Sequence, residues 1–219
     1  MKNFFNIIRA CKLFENISDE NLMTMLNCLG AKLEFFEKKH TVFAEGMPAK
    51  HMGILLSGSA QMIEMDYYGN RSILSVVKPS EVVLEAFACA EMNQLPVAVV
   101  ANEPSDIMLI ESSHMLHTCS NNCQFHQQLI FNLMKLIANK AVVFHEKIEI
   151  ISKRSTKDKL MAYLAAEAKK SGSKSFDIPF DRQELADFLE VDRSGLSSEI
   201  SKLKKEKIIK NHKNHFTLL

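Results

Sequence analysis

Between Arg182 and Lys202 the chain gathers side chains of the kind that pair with nucleic acid. Arg193, Ser194, Ser197, Ser198 and Lys202 fall so that a helix would carry them away from Leu196, Ile200 and Leu203. Guanidinium, ammonium and hydroxyl groups hydrogen-bond to base edges and phosphate oxygens, and Gly195 and the serines are small enough to let a helix approach closely. Arg182 and Gln183 open a preceding helical pattern, Gln183 to Leu189, with Leu185, Ala186 and Leu189 at helical spacing. Asp192, after the short break Glu190-Val191-Asp192, is placed to cap the second helix by accepting from its free first-turn amides. A solvated amphipathic helix is the plainer account of a basic helix alone. The preceding helix, the tight turn and the lysines that follow (Lys204, Lys205, Lys207, Lys210) favour a helix-turn-helix that reads DNA.

A second grouping places His114, His117, Cys119, Cys123 and His126 within 13 residues. Neutral imidazoles and thiolates ligate zinc or haem iron. Small packing cysteines and surface histidines explain the same residues more simply, so no metal is assigned. The five cysteines are odd in number and irregularly spaced, against a disulfide framework. His40 and His51 are the histidines of the strand-forming region and no His-x-His word occurs; with no nucleophile-and-base set and no phosphate-cradling glycine loop, an enzyme is not expected.

Those residues need elements to position them. Phe4 to Leu13 reads as a short helix, and Ser18 is placed to cap another with Leu22, Met25, Leu26 and Leu29 inward. From Leu33 to about Leu109, short apolar runs broken by Gly, Pro, Asn and Asp argue a compact β-barrel or double-sheet roll. From about Asn122 the helical period returns. Ile130, Met134, Ile137, Ala141, Phe144, Ile148 and Ile151 recur at alternating steps of 4 and 3, a heptad seam suited to a second copy of the chain. A neighbouring stripe of Leu129, Leu133, Leu136 and Val143 is expected to pack on the barrel. Lys153 to Lys157 reads as a hinge, followed by a helix from Lys157 to Lys169, a strand from Phe176 to Phe180, and a β-type run after the second reader helix that would complete a winged domain. From Ser152 onward there are 15 Lys and Arg against 10 Asp and Glu, and before it 12 against 16; the basic surplus coincides with the DNA-reading stretch. No apolar run approaches a bilayer span and no cleavable leader is seen, so a cytoplasmic protein without membrane contact is expected.

The stretch RQELADFLEVDRSGLSSEISKLKKEKII resembles the helix-turn-helix of the bacterial Crp/Fnr (cyclic-AMP receptor protein and fumarate-nitrate reduction regulator) transcription factors. VFAEG at Val42 to Gly46, LLSGSAQ at Leu55 to Gln61 and the Tyr68-Gly69-Asn70 turn resemble strand and turn words of the same family's sensor. The resemblance implies an α+β chain: an N-terminal jelly-roll β-barrel of the cyclic-nucleotide-binding kind (residues 1–120), a long dimerisation helix (121–152) and a C-terminal winged helix-turn-helix (153–219). It implies a homodimer on double-stranded DNA with a near-palindromic site, and RNA polymerase as a further partner.

Nucleotide-binding relatives hold phosphate with a Gly-Glu-x-x-Gly word and an Arg-Ser or Arg-Thr pair. Here the matching positions are Ser80-Glu81-Val82-Val83-Leu84 and Pro96-Val97, and Glu81 alone survives. A phosphate would be buried unpaired, which argues against cyclic AMP. An iron-sulfur cluster is not expected with Cys11 and Cys28 as the N-terminal thiols. What the resemblance leaves is an unidentified effector near Glu81, Glu85, Pro96 and Val97. The alternative is an effector-, redox- or metal-sensing barrel protein whose DNA binding is weak or vestigial.

Overall fold

The computed structural model describes residues 2–116 and 124–219, which fall into two compact units: Met1–Met65 with Leu74–Ala141, and Asp66–Ile73 with Val142–Leu219. The first unit opens with a 3-10 turn at Lys2–Phe4, helix α1 (Phe5–Ala10), a 3-10 turn at Lys12–Phe14 and helix α2 (Asp19–Cys28). The single helix expected from Phe4 to Leu13 is broken at Cys11, whose ψ of 124° is extended, and Leu13 and Phe14 are buried in the core. Ser18 does stand at the N-cap of α2. Its hydroxyl, however, accepts from the Asn21 side-chain amide at 2.7 Å instead of from a first-turn backbone N–H. Burial pushes the Cys11 thiol up to about 11, so it packs as a neutral group.

Eight short strands follow: β1 (Lys32–Phe36), β2 (Thr41–Phe43), β3 (His51–Leu55), β4 (Ala60–Met65), β5 (Arg71–Val77), β6 (Val82–Val83), then helix α3 (Glu85–Cys89), β7 (Ala98–Ala101) and β8 (Ser105–Glu111). They form two four-stranded sheets, ordered β1-β8-β3-β6 and β2-β7-β4-β5. The crossed order places strands distant in sequence side by side, β1 on β8 with Lys32 opposite Leu109, and β3 on β8 with Met52 opposite Ile110. Side chains alternate across a strand. Met52, Ile54, Met108 and Ile110 therefore join Ile8, Leu13, Phe14, Leu22 and Leu26 in one buried cluster. The alternate position Gly53 turns to the other sheet, where a Cβ would come within 3.2 Å of the Phe43 ring.

After α4 (Ser112–Leu116) comes α5 (Gln124–Ile151), the 28-residue helix anticipated from the seam. Leu129 and Leu133 are buried and Leu136 half-buried against the first unit's core. Asn132, equally buried, donates to the carbonyls of Leu13 (3.0 Å) and Glu15 (2.8 Å) and accepts from Gln128 (2.9 Å). Val143, expected on this inward stripe, is 54% exposed. It lies beyond Ala141, where the helix leaves the first core, and before Lys147 and Ile150, which are buried in the second unit.

The second unit contains α6 (Thr156–Ser171), β9 (Ser175–Asp177), α7 (Arg182–Leu189), α8 (Arg193–Lys205), β10 (Ile209–His212) and β11 (His215–Leu218), with the strands ordered β10-β11-β9. The break after α5 is shorter than the hinge expected over Lys153 to Lys157, because Ser155 caps α6 by accepting from Asp158 N at 3.1 Å. The strand expected from Phe176 to Phe180 ends at Asp177, although Ile178 and Phe180 remain buried. Leu160, Leu164, Leu185, Leu189, Leu196, Ile200, Leu203 and Phe216 form this unit's core. The Phe188 ring lies 5.3 Å from Tyr163 and 4.8 Å from Phe180. Among the described residues no helix is long and apolar enough to cross a membrane.

Gly58 and Gly69 both have positive φ (+77° and +82°), but only Gly58 is crowded: an added Cβ would stand 2.3 Å from Ser105 Oγ and 2.5 Å from the Pro104 carbonyl. Gly58→Ala should destabilise the first unit by about 1–3 kcal/mol through combined overpacking and strain. Gly69→Ala, with nothing within 4 Å, should cost less. Urea unfolding followed by circular dichroism ranks the two, and equal losses would refute the crowding at Gly58.

Candidate nucleic-acid interface and sensor cassette

Helix α8 begins where Asp192 fixes it. The Asp192 carboxylate accepts from Gly195 N at 2.7 Å and from the Ser194 hydroxyl, the cap anticipated from sequence. Leu196, Ile200 and Leu203 are buried, so the opposite side faces solvent. At 3.6 residues per turn, Ser194, Ser198, Ser201 and Lys205 form the outermost row, flanked by Ser197 and Lys202, with Arg193 at the first turn. Lys205, named from sequence only among the lysines that follow the reader helix, joins the outer row through its spacing of 4 from Ser201.

The candidate residues are not equally free. Ser194 donates to its cap, and Lys202 lies 3.4 Å from Glu199. Ser201 donates to the Ser197 carbonyl at 2.9 Å. Gln183 hydrogen-bonds along its own helix to Asp187 at 2.7 Å. Arg182 is half-buried, its Nη2 3.1 Å from Asn211 Oδ1 and its guanidinium 5.9 Å from the Phe216 ring centroid, which ties the start of α7 to the wing strands. Partial burial first, and the neighbouring Arg193 charge second, hold the Arg182 pKa below its ordinary value. Arg193, Lys205 and, on the β10–β11 hairpin, Lys210, His212 and Lys213 are exposed.

The turn between α7 and α8 is set from three sides. A capping box of Asp181 and Glu184 starts α7, with both reciprocal hydrogen bonds at 2.8 Å. Glu190 closes it in the left-handed region (φ 53°, ψ 57°), where glycine is the usual choice. Lys159 of α6 donates to the carbonyls of Leu189 and Glu190, both at 3.2 Å. No sequence signal marks Lys159, because its role depends on α6 folding back across the turn.

In the first unit the cassette positions separate. Glu81 is exposed and its carboxylate accepts from Lys78 N at 2.9 Å, within its own loop. Glu85, the first residue of α3, is buried and ion-paired to Lys140 of α5 at 2.8 Å. Pro96 is exposed and Val97 buried. Ser80 and Leu84 both keep positive φ (+71° and +64°). Of the histidine and cysteine grouping, His117, Cys119 and Cys123 lie outside the described residues. His114 is exposed, and His126 is buried with its Nε2 3.1 Å from the Met115 carbonyl oxygen. Of the heptad positions on α5, Met134 (59%), Ile148 (58%) and Ala141 are exposed, and Ile130, Ile137, Phe144 and Ile151 are half-buried.

A sheet-built sensor unit, a long helix and a winged helix-turn-helix define a class, the sensor-coupled DNA-binding regulators. A family model described as the cyclic nucleotide-binding domain matches residues 33–122, and one described as the Crp-like helix-turn-helix domain matches residues 158–219. The chain belongs to the Crp/Fnr family of transcription regulators. A search of curated protein sequences gives no match. Solved structures share the fold. The c-di-GMP responsive global regulator CLP of Xanthomonas campestris aligns with a TM-score of 0.74 at 15% identity, over 90% of this chain and 98% of its own. FixK2 from Bradyrhizobium japonicum aligns at 0.67 and 15% identity, over 86% and 92%. CprK complexed with OCPA aligns at 0.68 and 14%, over 91% and 89%.

Two changes probe the reader. The Asp192 carboxyl is held below the usual 3.8, first by the Ser194 hydroxyl and then by Gly195 N. Since the folded value is depressed, the cap stabilises fully above the unfolded value and is lost as pH falls through the folded one. Amide protection in the first turn of α8, corrected for intrinsic exchange, should fall below about pH 4, and Asp192→Asn should remove that acid limb; an unchanged acid limb in the variant would contradict the cap. Glu190→Gly should stabilise the second unit by about 1 kcal/mol by releasing the left-handed strain, read from urea unfolding, whereas a loss of stability would mean that the Glu190 side chain contributes more than its backbone costs.

Proposed function

We propose that this regulator acts as a homodimer whose two α8 helices enter successive major grooves of a near-palindromic duplex, about 34 Å apart. The uncovered outer row of α8, bracketed by Arg193 and Lys202 and opposite a fully buried apolar row, is the observation that carries the proposal. Arg193 reads a base edge; Ser194, Ser197 and Ser198 let the helix seat closely, with Ser194 acting as an acceptor because its proton is given to Asp192. Lys202, Lys205 and the wing residues Lys210 and Lys213 meet phosphate. Arg182 adds positive charge beside Arg193 at the DNA-facing end of α7, and Gln183 stands at the rim.

Dimerisation follows from the second apolar row of α5, where Met134 and Ile148 are too exposed for a helix serving its own unit alone. Residues 1–120, 121–152 and 153–219 then serve as sensor, dimer helix and DNA reader. The sensor answers an effector at the α3 cassette that is not a cyclic nucleotide, since leucine and serine occupy both glycine positions and proline the arginine position. As a promoter-binding regulator it works in the cytoplasm, with RNA polymerase as its final partner.

Selection of bound duplexes from a random pool should return a palindromic consensus. Enrichment that is sequence-blind and abolished by salt would instead make the winged unit vestigial. On the selected duplex, Arg193→Ala should cost about 1–3 kcal/mol and relax base choice, while Lys202→Ala should weaken all sequences alike and lower the salt slope by about one. Equal losses on specific and random duplexes for both variants would remove Arg193 as the base reader. Ile148→Asp should give a monomer in sedimentation at micromolar concentration, and a dimer that survives it would rule out the seam.

A further inference from the structure

Glu85 is 2% exposed, and a carboxylate so buried requires a cation. Lys140 supplies it from α5: Nζ lies 2.8 Å from Oε1 and 2.9 Å from Oε2, and it also donates to the carbonyl of Val82 in β6. Three acceptors match the three donors of an ammonium. The backbone around this pair keeps its left-handed residues at Ser80 and Leu84, while the Leu84 side chain, 2% exposed, fills space that a glycine would leave open. Lys140 itself is one-third exposed, so the ammonium is the half of the pair that water and solutes can reach.

We propose that the cassette is a cation seat: the Glu85 carboxylate and the Val82 carbonyl bind an ammonium, Lys140 is the resting occupant, and the diffusible ligand that fits carries an ammonium or guanidinium group rather than a phosphate. This deepens, and rests on, the assignment of the cassette as the effector site. A ligand that removed Lys140 without replacing its charge would leave Glu85 buried and unpaired, which restricts the class of molecule. Displacement has a direct consequence for α5, because Lys140 hydrogen-bonds that helix to both β6 and α3. A cationic ligand prefers the arrangement in which α5 is released, which is the unequal affinity that a switch requires.

Chemical rescue tests the seat in the full chain. Lys140→Ala removes three carbons and an ammonium, the heavy atoms of n-propylammonium. The variant should melt below wild type, and n-propylammonium should raise its midpoint saturably, whereas tetramethylammonium at equal ionic strength, lacking N–H donors, should not. The double variant Lys140→Ala with Glu85→Gln should show no saturable rise. On a duplex selected by wild type, Lys140→Ala should change affinity about tenfold, a normal coupling size, and n-propylammonium should reverse the change. Should Lys140→Ala fail to fold, hydrogen exchange in wild type decides: n-propylammonium should accelerate amides of α3 and of α5 near Lys140, and inorganic phosphate should not. Equal responses to the two ammonium salts, rescue of the double variant, or protection by phosphate would overturn the proposal. The melting and exchange measurements involve no DNA, so a wild-type chain that selects no duplex would defeat the DNA assignment while leaving the seat to be judged on its own.

Discussion

A helix can bury one stripe in the unit it belongs to, and whatever apolar surface remains must meet water or another chain. In α5 this constraint governs the rest of the molecule. Leu129 and Leu133 commit one side of its first half to the core that α1, α2, β3 and β8 build. Asn132 fixes how that side docks, since its amide donates to the buried Leu13 carbonyl and to the Glu15 carbonyl just after the Lys12–Phe14 turn. With that side fixed, Met134, Ala141 and Ile148 are turned outward whatever their hydrophobicity. The exposed row is thus imposed by the buried one.

The same inward side carries two lysines one heptad apart. Lys140 meets Glu85 and Val82 in the first unit. Lys147, 7% exposed, donates to the Ile73 carbonyl and lies 4.7 Å from the Phe188 ring centroid in the second. Leucine at either place would pack more cheaply, because burying an ammonium is costly unless every donor is used. What lysine adds is direction: its ammonium holds backbone carbonyls and, at Lys147, an aromatic face, so the helix is held by bonds of specific geometry as well as by area. Phe188 belongs to α7, so this contact joins α5 to the first helix of the reader within one compact unit.

The reader depends on short-range chemistry for its shape. Its capping box, the Asp192 cap and the left-handed Glu190 act within a few residues of one another, and they set where α7 stops and α8 starts. Lys159 is the exception, arriving from α6 to hold the turn's carbonyls.

This division explains what could be read early. The helix start at Asp192, the buried row of α8, the strand-rich region and the length of α5 were legible because capping, periodicity and turn chemistry act over a handful of residues; the capping box of Asp181 and Glu184 acts over as short a range and was missed. The break at Cys11, the exposure of Val143 and the early end of β9 were not legible, since each is decided by packing partners distant in the chain. Glu85 illustrates the limit best. By itself it is one carboxylate near a motif that had lost its glycines; its ion pair comes from Lys140, 55 residues onward. Residue order determined the two structural languages, sheet then helix, and the chemistry of the reading face. Only the fold decided which charges are buried together, because burial and the cost of an unpaired charge are properties of the assembled core, not of any stretch of sequence.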